Sequence, residues 1–243
     1  MAGYLHELFR LFYPERCAAC GKILPEGMSM LCPHCQWDMP LTGYCAIHDN
    51  PVYEKFGGLL PVTEASSWLF FTTHSRYRDL IHSFKYHGAW NLSRNMGRLM
   101  GYALADGGLY KDIDLIIPVP IHPFRRWHRG YNQAEYLAEG IAQALKCPVS
   151  RNNLIRKRYN RSQAHTSQRD QRWDNVQNIF AVRHPDRFAD KHLLLVDDVL
   201  TTGATLVSCA ETLLQYVPNC RISIATLAVS AHELFGRHKG GGL

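Results

Sequence analysis

No run in the 243 residues approaches the ~20 apolar positions that a membrane-spanning helix needs, so no membrane span is expected. Internal repeats are missing, and nothing in the composition is fibrous or disordered, which removes solenoid and low-complexity classes. The first residues carry Glu7 and Arg10 inside their apolar run. They lack an apolar core followed by a small-residue cleavage site, so no secretory signal is read there and a cytoplasmic setting is expected. Cysteine is missing from about Gly57 until Cys147, and that stretch has an α/β rhythm instead. With hydrophobic content at 46%, the length suits one α/β domain plus a small appendage.

What is present is uneven. Basic residues number 27 against 21 acidic ones, for a formal charge of +6. Arg125, Arg126 and Arg129 crowd one stretch together with His122 and His128, while Arg156, Lys157, Arg158, Arg161, Arg169 and Arg172 crowd another. Both clusters suit an anionic ligand, and both are equally compatible with a solvated surface.

The cysteines of the first part form two matched pairs, Cys17-x-x-Cys20 and Cys32-x-x-Cys35. Each pair can grip one edge of a metal from a tight turn, and Gly21 follows the first as a knuckle residue would. Four thiolates so spaced suit tetrahedral Zn²⁺, and a reducing compartment favours thiols held by metal over disulfides. A module this small cannot bury a sufficient core, so the metal is expected to supply folding energy. Cys45 and His48 have the spacing of half a second site but no partner pair nearby, so a plain surface turn is the simpler reading. Ahead of the pairs, Tyr4, Leu5, Leu8, Phe9, Leu11 and Phe12 recur at helical spacing and predict a helix docked on its own chain. A membrane-surface role is the weaker alternative, because the polar face lacks a basic band. Cys147, Cys209 and Cys220 read as small buried residues.

Beyond the cysteines, the patterning predicts strands at 67–72, 115–119, 193–196 and 222–227. It predicts helices at 77–84, 91–105, 132–145 and 206–216, with Gly107-Gly108 and Pro218 as stops. Helices alternating with apolar strands imply a mainly parallel sheet covered on both faces. The boundary falls near Gly57: residues 1–57 as an N-terminal helix and cysteine module, residues 58–243 as the larger domain.

The most informative run is Leu193-Leu194-Leu195-Val196-Asp197-Asp198-Val199-Leu200-Thr201-Thr202-Gly203-Ala204-Thr205. It reads as an apolar strand, two adjacent carboxylates, a Thr/Gly turn and a helix start. Such a helix start presents unpaired N–H groups and the positive end of its dipole, which suits a phosphate. Thr201, Thr202 and Thr205 add hydroxyl donors, and Gly203 permits close backbone approach. Asp197 and Asp198 stand at the carboxyl end of the strand, where open α/β sheets bind ligands. They can accept sugar hydroxyls or sit near a divalent cation. An ordinary Asp-rich turn is the bland alternative, at the cost of placing two acids against an apolar strand without a purpose.

A second rim element is Ile116-Ile117-Pro118-Val119-Pro120-Ile121-His122-Pro123, whose prolines end a strand. After it come Arg125-Arg126-Trp127-His128-Arg129-Gly130-Tyr131-Asn132-Gln133 and a helix. Guanidinium groups and a helix start on the same rim suit a second phosphate group, such as a diphosphate. The stretch 156–178 has no clean period. It can close over a reacting sugar, or contact nucleic acid with Tyr159 and Trp173 as stacking faces.

The Asp-Asp-x-x-Thr-Thr-Gly-x-Thr run resembles, without gaps, the phosphoribosyl diphosphate (PRPP) motif of type I phosphoribosyltransferases. It occurs in order after the cysteine pairs, a Lys-Tyr-x-Gly segment at Lys85, and the Pro-Val-Pro…Arg-Gly-x-Asn-Gln segment. On that combination the chain is similar to the ComF/GntX family over nearly its whole length. The resemblance implies a zinc ribbon on a type I phosphoribosyltransferase-like domain, with Cys17, Cys20, Cys32 and Cys35 holding the metal. It implies ribose contacts from Asp197 and Asp198, a 5′-phosphate loop of Thr201, Thr202, Gly203, Ala204 and Thr205, and Mg²⁺ bridging ribose and diphosphate oxygens. Lys85, Arg125, Arg126 and Arg129 would hold the diphosphate. It also implies a role in natural transformation, handling imported single-stranded DNA beside a helicase-type partner. Some members carry additional cysteine pairs; this chain has only Cys45 and His48 in that region.

Two functions remain open at this point. One is a PRPP-binding protein of competence type, supporting DNA uptake. The other is an active phosphoribosyltransferase that delivers the sugar to a nitrogen acceptor, with catalysis by positioning and charge stabilisation. No residue identifies the acceptor or a general base.

Overall fold

The structure is a computed structural model that describes residues 14–71, 75–83, 90–122, 124, 126–127, 130–157 and 179–235. In chain order the elements are α1 (Pro33–Trp37), α2 (Pro51–Gly57), β1 (Val62–Phe71), α3 (Arg76–Ser83), α4 (Trp90–Gly107), β2 (Leu115–Pro118), α5 (Gln133–Leu145), β3 (Leu154–Arg156), β4 (Phe180–Val182), β5 (His192–Leu200), α6 (Ala204–Tyr216), β6 (Arg221–Ser230) and α7 (Ala231–Phe235). The apolar stripe before residue 14 lies outside the described residues.

Four strands form one sheet in the order β1-β6-β5-β2, every pair parallel. Side chains alternate between its faces. Ile116, Leu194, Val196, Ala225 and Leu227 meet α4, α5 and the cysteine module. Leu115, Ile117, Leu193, Leu195, Ile222 and Ile224 meet α2 and α6. Burial on both faces explains why these strands read as continuous Leu/Ile/Val. The core on the first face includes Cys17, Leu24, Leu31 and Cys35 beside Trp68, Tyr77 and Leu80, so the cysteine segment packs on the sheet's helices as well as on itself.

The path of the chain sets where a ligand can enter. After β2 the chain passes through α5 and returns as a single parallel rung, Val149 beside Ile116, on the outer side of β2. It then makes the β3–β4 antiparallel pair and re-enters as β5 on the inner side of β2. Successive connections therefore leave in opposite directions from the β2/β5 junction. A crevice opens at the carboxyl ends of strands at such a switch point.

Helices α4 and α5 touch through glycine. A Cβ on Gly140 would lie 2.0 Å from the Arg94 carbonyl oxygen, and one on Gly97 would lie 2.2 Å from that of Leu137. Met96 and Met100, on the face expected of α4, are buried beside this crossing.

The elements differ from their sequence expectations chiefly at the ends. β1 starts at Val62 rather than Ser67, and β5 runs past Val196 through both aspartates to Leu200. α2 and the β3–β4 pair were not anticipated. Asn50 caps α2 by accepting from the N–H groups of Val52 and Tyr53, with Pro51 at the first helical position, a helix-start signature. Of the three late cysteines only Cys209 is fully buried, whereas Cys147 and Cys220 are half-exposed. Among the described residues no helix is long and apolar enough to cross a membrane.

Candidate functional site

β2 leaves the ladder at Pro118 opposite Val196, with one further bond from Val119 N–H to the Val196 carbonyl at 2.9 Å. β6 stays paired with β5 as far as Leu200. Among the described residues, β5 is therefore paired on one side only from Asp197 onward. The aspartates lie in this half-freed carboxyl end, in a strand that runs on to Leu200 rather than stopping at Val196. Asp197 Oδ1 accepts from the Asp198 N–H at 2.9 Å, and Asp198 Oδ1 accepts from the Val199 N–H at 2.8 Å. Burial, and then the neighbouring Asp198 charge, push the Asp197 carboxyl well above the usual carboxylate range. A cation or a pair of sugar hydroxyls at this point relieves that strain on the ionised form.

The turn that follows is built for close approach. Gly203 sits at φ +82°, the left-handed region that glycine enters without cost, and begins α6. α6 has no side-chain cap at its start, although Thr202 Oγ1 accepts from the Ala204 N–H at 3.4 Å. Thr201, Thr202, Ala204 and Thr205 are exposed around a buried Gly203. Together with Asp197, Val199, Leu200 and Leu206 they line one small cleft. The buried Phe56 of α2 packs behind the turn: a Cβ on Gly203 would lie 3.2 Å from the Phe56 ring. No sequence signal connected Phe56 with this loop.

On the opposite rim, Asn132 ties the start of α5 to the end of β2. Its Oδ1 accepts from the Ala134 N–H at 3.2 Å and its Nδ2 donates to the Val119 carbonyl at 3.0 Å. Arg126 turns its guanidinium onto Glu135 in the first turn of α5, at 2.8 and 3.4 Å. The sequence reading missed that partner. Phe124 and Trp127 stand exposed beside it, ring centroids 6.2 Å apart. Lys85, Arg125 and Arg129 lie outside the described residues, as do His128, Tyr159, Trp173 and the basic residues Arg158, Arg161, Arg169 and Arg172. Arg156 is described, with its guanidinium 5.5 Å above the Phe180 ring.

The four paired cysteines do meet. The Sγ atoms of Cys17, Cys20, Cys32 and Cys35 lie within 4.8 Å of one another, and those of Cys20 and Cys32 are 3.8 Å apart. Sulfurs bound at ~2.3 Å around a tetrahedral metal stand about 3.8 Å from each other, so the cluster has the dimensions of a metal-ligand set. The Cys32 N–H donates to Cys17 Sγ at 3.4 Å, and Arg76 Nη1 approaches Cys35 Sγ at 3.8 Å. Burial pushes the Cys17 thiol up, but hydrogen bonds from the Cys32, Cys20 and Ala19 backbone outweigh it and bring the group down to about 6. Burial drives Cys35 up to about 12 against the opposing pull of Arg76, and the neighbouring thiolates add to the rise. The Tyr77 hydroxyl donates to the Cys35 carbonyl at 2.6 Å, which fastens α3 to the second knuckle.

Among the described residues, Cys45 and His48 are not gathered with further metal-ligating side chains. Cys45 is buried and accepts from the Ser66 hydroxyl. His48 is exposed and pairs with Glu64 at 2.9 Å, which raises its pKa.

Residues 132–239 match the phosphoribosyl transferase domain, a span that holds α5, both aspartates, the Thr/Gly turn and α6. Competence protein F of Haemophilus influenzae is 31% identical over 206 residues, covering 80% of this chain and 89% of that protein. The chain belongs to the competence protein F family. DNA utilization protein YhgH of Salmonella typhimurium is 28% identical over 82% of this chain and 84% of its own length. Among solved structures, an allosteric regulatory enzyme of purine biosynthesis aligns at 16% identity with a TM-score of 0.42, over 59% of this chain and 30% of that one. The ComF/GntX resemblance of the motifs agrees with the competence protein F relatives, and the parallel α/β sheet carries the matched phosphoribosyl transferase domain.

Proposed function

We propose that the chain binds PRPP in the cleft after β5 and acts as a competence-type protein, supporting natural transformation by handling single-stranded DNA in the cytoplasm. The observation that carries the reading is the uncapped start of α6 behind the left-handed Gly203, beside two carboxylates on the open end of β5. In this reading Thr201, Thr202, Gly203, Ala204 and Thr205 surround the 5′-phosphate with hydroxyl and backbone donors. Asp197 and Asp198 accept the ribose hydroxyls. The same carboxylates are hard oxygen donors that suit Mg²⁺, which neutralises charge on the diphosphate when bound. Lys85, Arg125, Arg126 and Arg129 serve the diphosphate, Arg126 from its pairing with Glu135.

Cys17, Cys20, Cys32 and Cys35 hold a structural Zn²⁺, an assignment supported by the all-sulfur set and the 3.8 Å sulfur spacing. Residues 1–57 then form the metal module and residues 58–243 the transferase-like domain. The competence and DNA-utilization names of the relatives support a single-stranded DNA partner and a helicase-type protein partner, and the exposed Phe124 and Trp127 rings suit base stacking.

The second reading is catalytic: the same bound PRPP passes its phosphoribosyl group to a nitrogen acceptor, and the site contributes position and charge. Titration calorimetry of the full chain with PRPP, with and without Mg²⁺, tests the shared premise. Saturable, Mg²⁺-enhanced binding is expected, and no heat under either condition refutes both readings. Release of diphosphate across a screen of bases and amines then favours the transferase. Binding without turnover, together with oligonucleotide affinity that falls steeply with salt, favours DNA handling.

A further inference from the structure

Among the described residues, the sheet ends beyond β2 in the short segment 147–151, whose outer edge is unpaired. Pro148 accepts from the Ile116 N–H and the Ser150 N–H donates to the Ile116 carbonyl, so residues 148 and 150 spend their backbone groups on β2. Alternation turns the backbone of Cys147, Val149 and Arg151 the other way. Among the described residues nothing pairs with it. The opposite edge of the sheet is closed, because Thr42 N–H bonds to the Trp68 carbonyl and Phe70 N–H to that of Pro40.

The open edge forms one wall of a cleft of about 660 Å³ lined by Arg94, Glu139, Gln143, Cys147, Val149 and Arg151 among others. Its charges are fixed in place. Arg151 donates to Glu139 Oε1 at 2.6 Å and Arg94 donates to Oε2 of the same carboxylate. The Arg94 guanidinium also lies 5.4 and 5.7 Å from the Trp90 and Tyr136 ring centroids, beside the pair that these rings make with each other, and among the described residues nothing accepts from its buried Nε–H. One carboxylate thus serves two guanidinium groups, and the wall keeps a positive excess.

We propose that the edge at Cys147–Arg151 is a docking site for an extended, acidic segment of a partner polypeptide, added as a strand beside Val149 with its carboxylates toward Arg94 and Arg151. The backbone decides the class of partner. Outward N–H and C=O groups in alternation need a ligand with acceptors and donors at the strand repeat. A DNA backbone offers acceptors alone, an RNA backbone adds only 2′-hydroxyl donors off the strand repeat, and the phosphates of either would face Glu139. A second copy of this chain, paired edge to edge, would bring two arginine pairs together. The site shares no residue with the cleft after β5 and does not depend on the function proposed for it.

The test uses the full chain and a fluorescently labelled peptide of about eight residues alternating Val and Glu, read by anisotropy. Saturable binding is expected. Val149→Pro removes the outward donor and leaves both bonds to β2 intact, a substitution that edge strands tolerate. With the thermal midpoint unchanged it should weaken binding at least tenfold. Arg151→Glu should do the same, and a Val/Lys peptide should not bind. No saturable binding of the acidic peptide overturns the proposal. So does binding that Val149→Pro leaves unchanged, or displacement of the peptide by a single-stranded oligonucleotide with equal loss in both variants.

Discussion

Gly140→Ala makes a demanding test of the α4–α5 crossing, because helix propensity and packing predict opposite signs. In an isolated helix, alanine is better than glycine by ~1 kcal/mol. Here the added methyl would lie 2.0 Å from the Arg94 carbonyl oxygen and 2.6 Å from the Arg98 amide nitrogen, both of them backbone atoms. No rotamer relieves a backbone clash, so the helices must part by roughly 1.4 Å to restore ordinary contact, and a radial gap of 0.5–1 Å already forfeits a quarter to a half of the dispersion attraction across it. Overpacking of this kind costs about 1–3 kcal/mol and occasionally more. Two backbone contacts this short put the clash at the upper end of that range, so after the propensity gain a net loss of about 2 kcal/mol remains, roughly 4–8 °C in Tm for a chain of this size. Gly57→Ala is the control: its new methyl meets the Tyr53 ring at 3.6 Å, an ordinary contact. Urea and thermal unfolding of both variants read the difference. A Gly140→Ala protein as stable as the parent, or more so, would falsify the close crossing.

Thr205→Val keeps shape and removes a hydroxyl donor, and Asp198→Asn keeps volume and removes charge. Each should weaken PRPP binding by about 1–3 kcal/mol in calorimetry with no change in unfolding midpoint, and unaltered affinity in both would dissociate the loop from the ligand. Elemental analysis should find about one Zn²⁺ per chain, lost on Cys35→Ser; a metal-free, folded preparation holding two disulfides would sink the zinc assignment. His192 is fully buried between Asp112 (Nδ1–Oδ1 3.0 Å) and Ser223 (Nε2–Oγ 2.8 Å), and burial lowers its pKa from the ordinary value near 6.5 despite the attraction of Asp112. The unfolded chain therefore takes up a proton below pH 6.5 that the folded chain refuses, and stability should fall as pH drops from about 6.5 towards the folded pKa, by at most ~1.4 kcal/mol per unit. His192→Gln should remove that slope, and a pH-independent stability from 7 to 5 in the parent would contradict it.

Much of this was legible in the chain because the governing signals are local. The Leu193–Thr205 run holds a strand, two acids, a left-handed glycine and a helix start in contiguous order, and the cysteine pairs have a spacing set by the ligand geometry itself. What stayed hidden depends on distant contacts. The strand β5 continues past Val196 because β6, not β2, supplies rungs as far as Leu200. Phe56 lies far upstream of the loop that it supports, in a short helix whose local signal is only its Asn50-Pro51 start. Arg126 looked like a free cation in its basic cluster, and Glu135 became its partner only when α5 folded back along the rim.

The pairing of β1 with β6 has a consequence for synthesis. The hydroxyls of Ser67 and Thr226 meet at 2.5 Å across 159 residues of sequence. At ribosomal speeds of ~5–20 residues per second, that separation means roughly 8–30 s between the emergence of the two strands. Throughout that interval Trp68 and Leu69 have left the ribosome and their sheet neighbour does not yet exist. The segment Pro40–Thr42, made before β1, is then at hand and covers one edge of the strand through Trp68 and Phe70. The native order of this sheet is therefore reached only once β6 has been made, and the nascent chain offers an apolar strand with one edge guarded and one edge open to chaperones until β6 arrives.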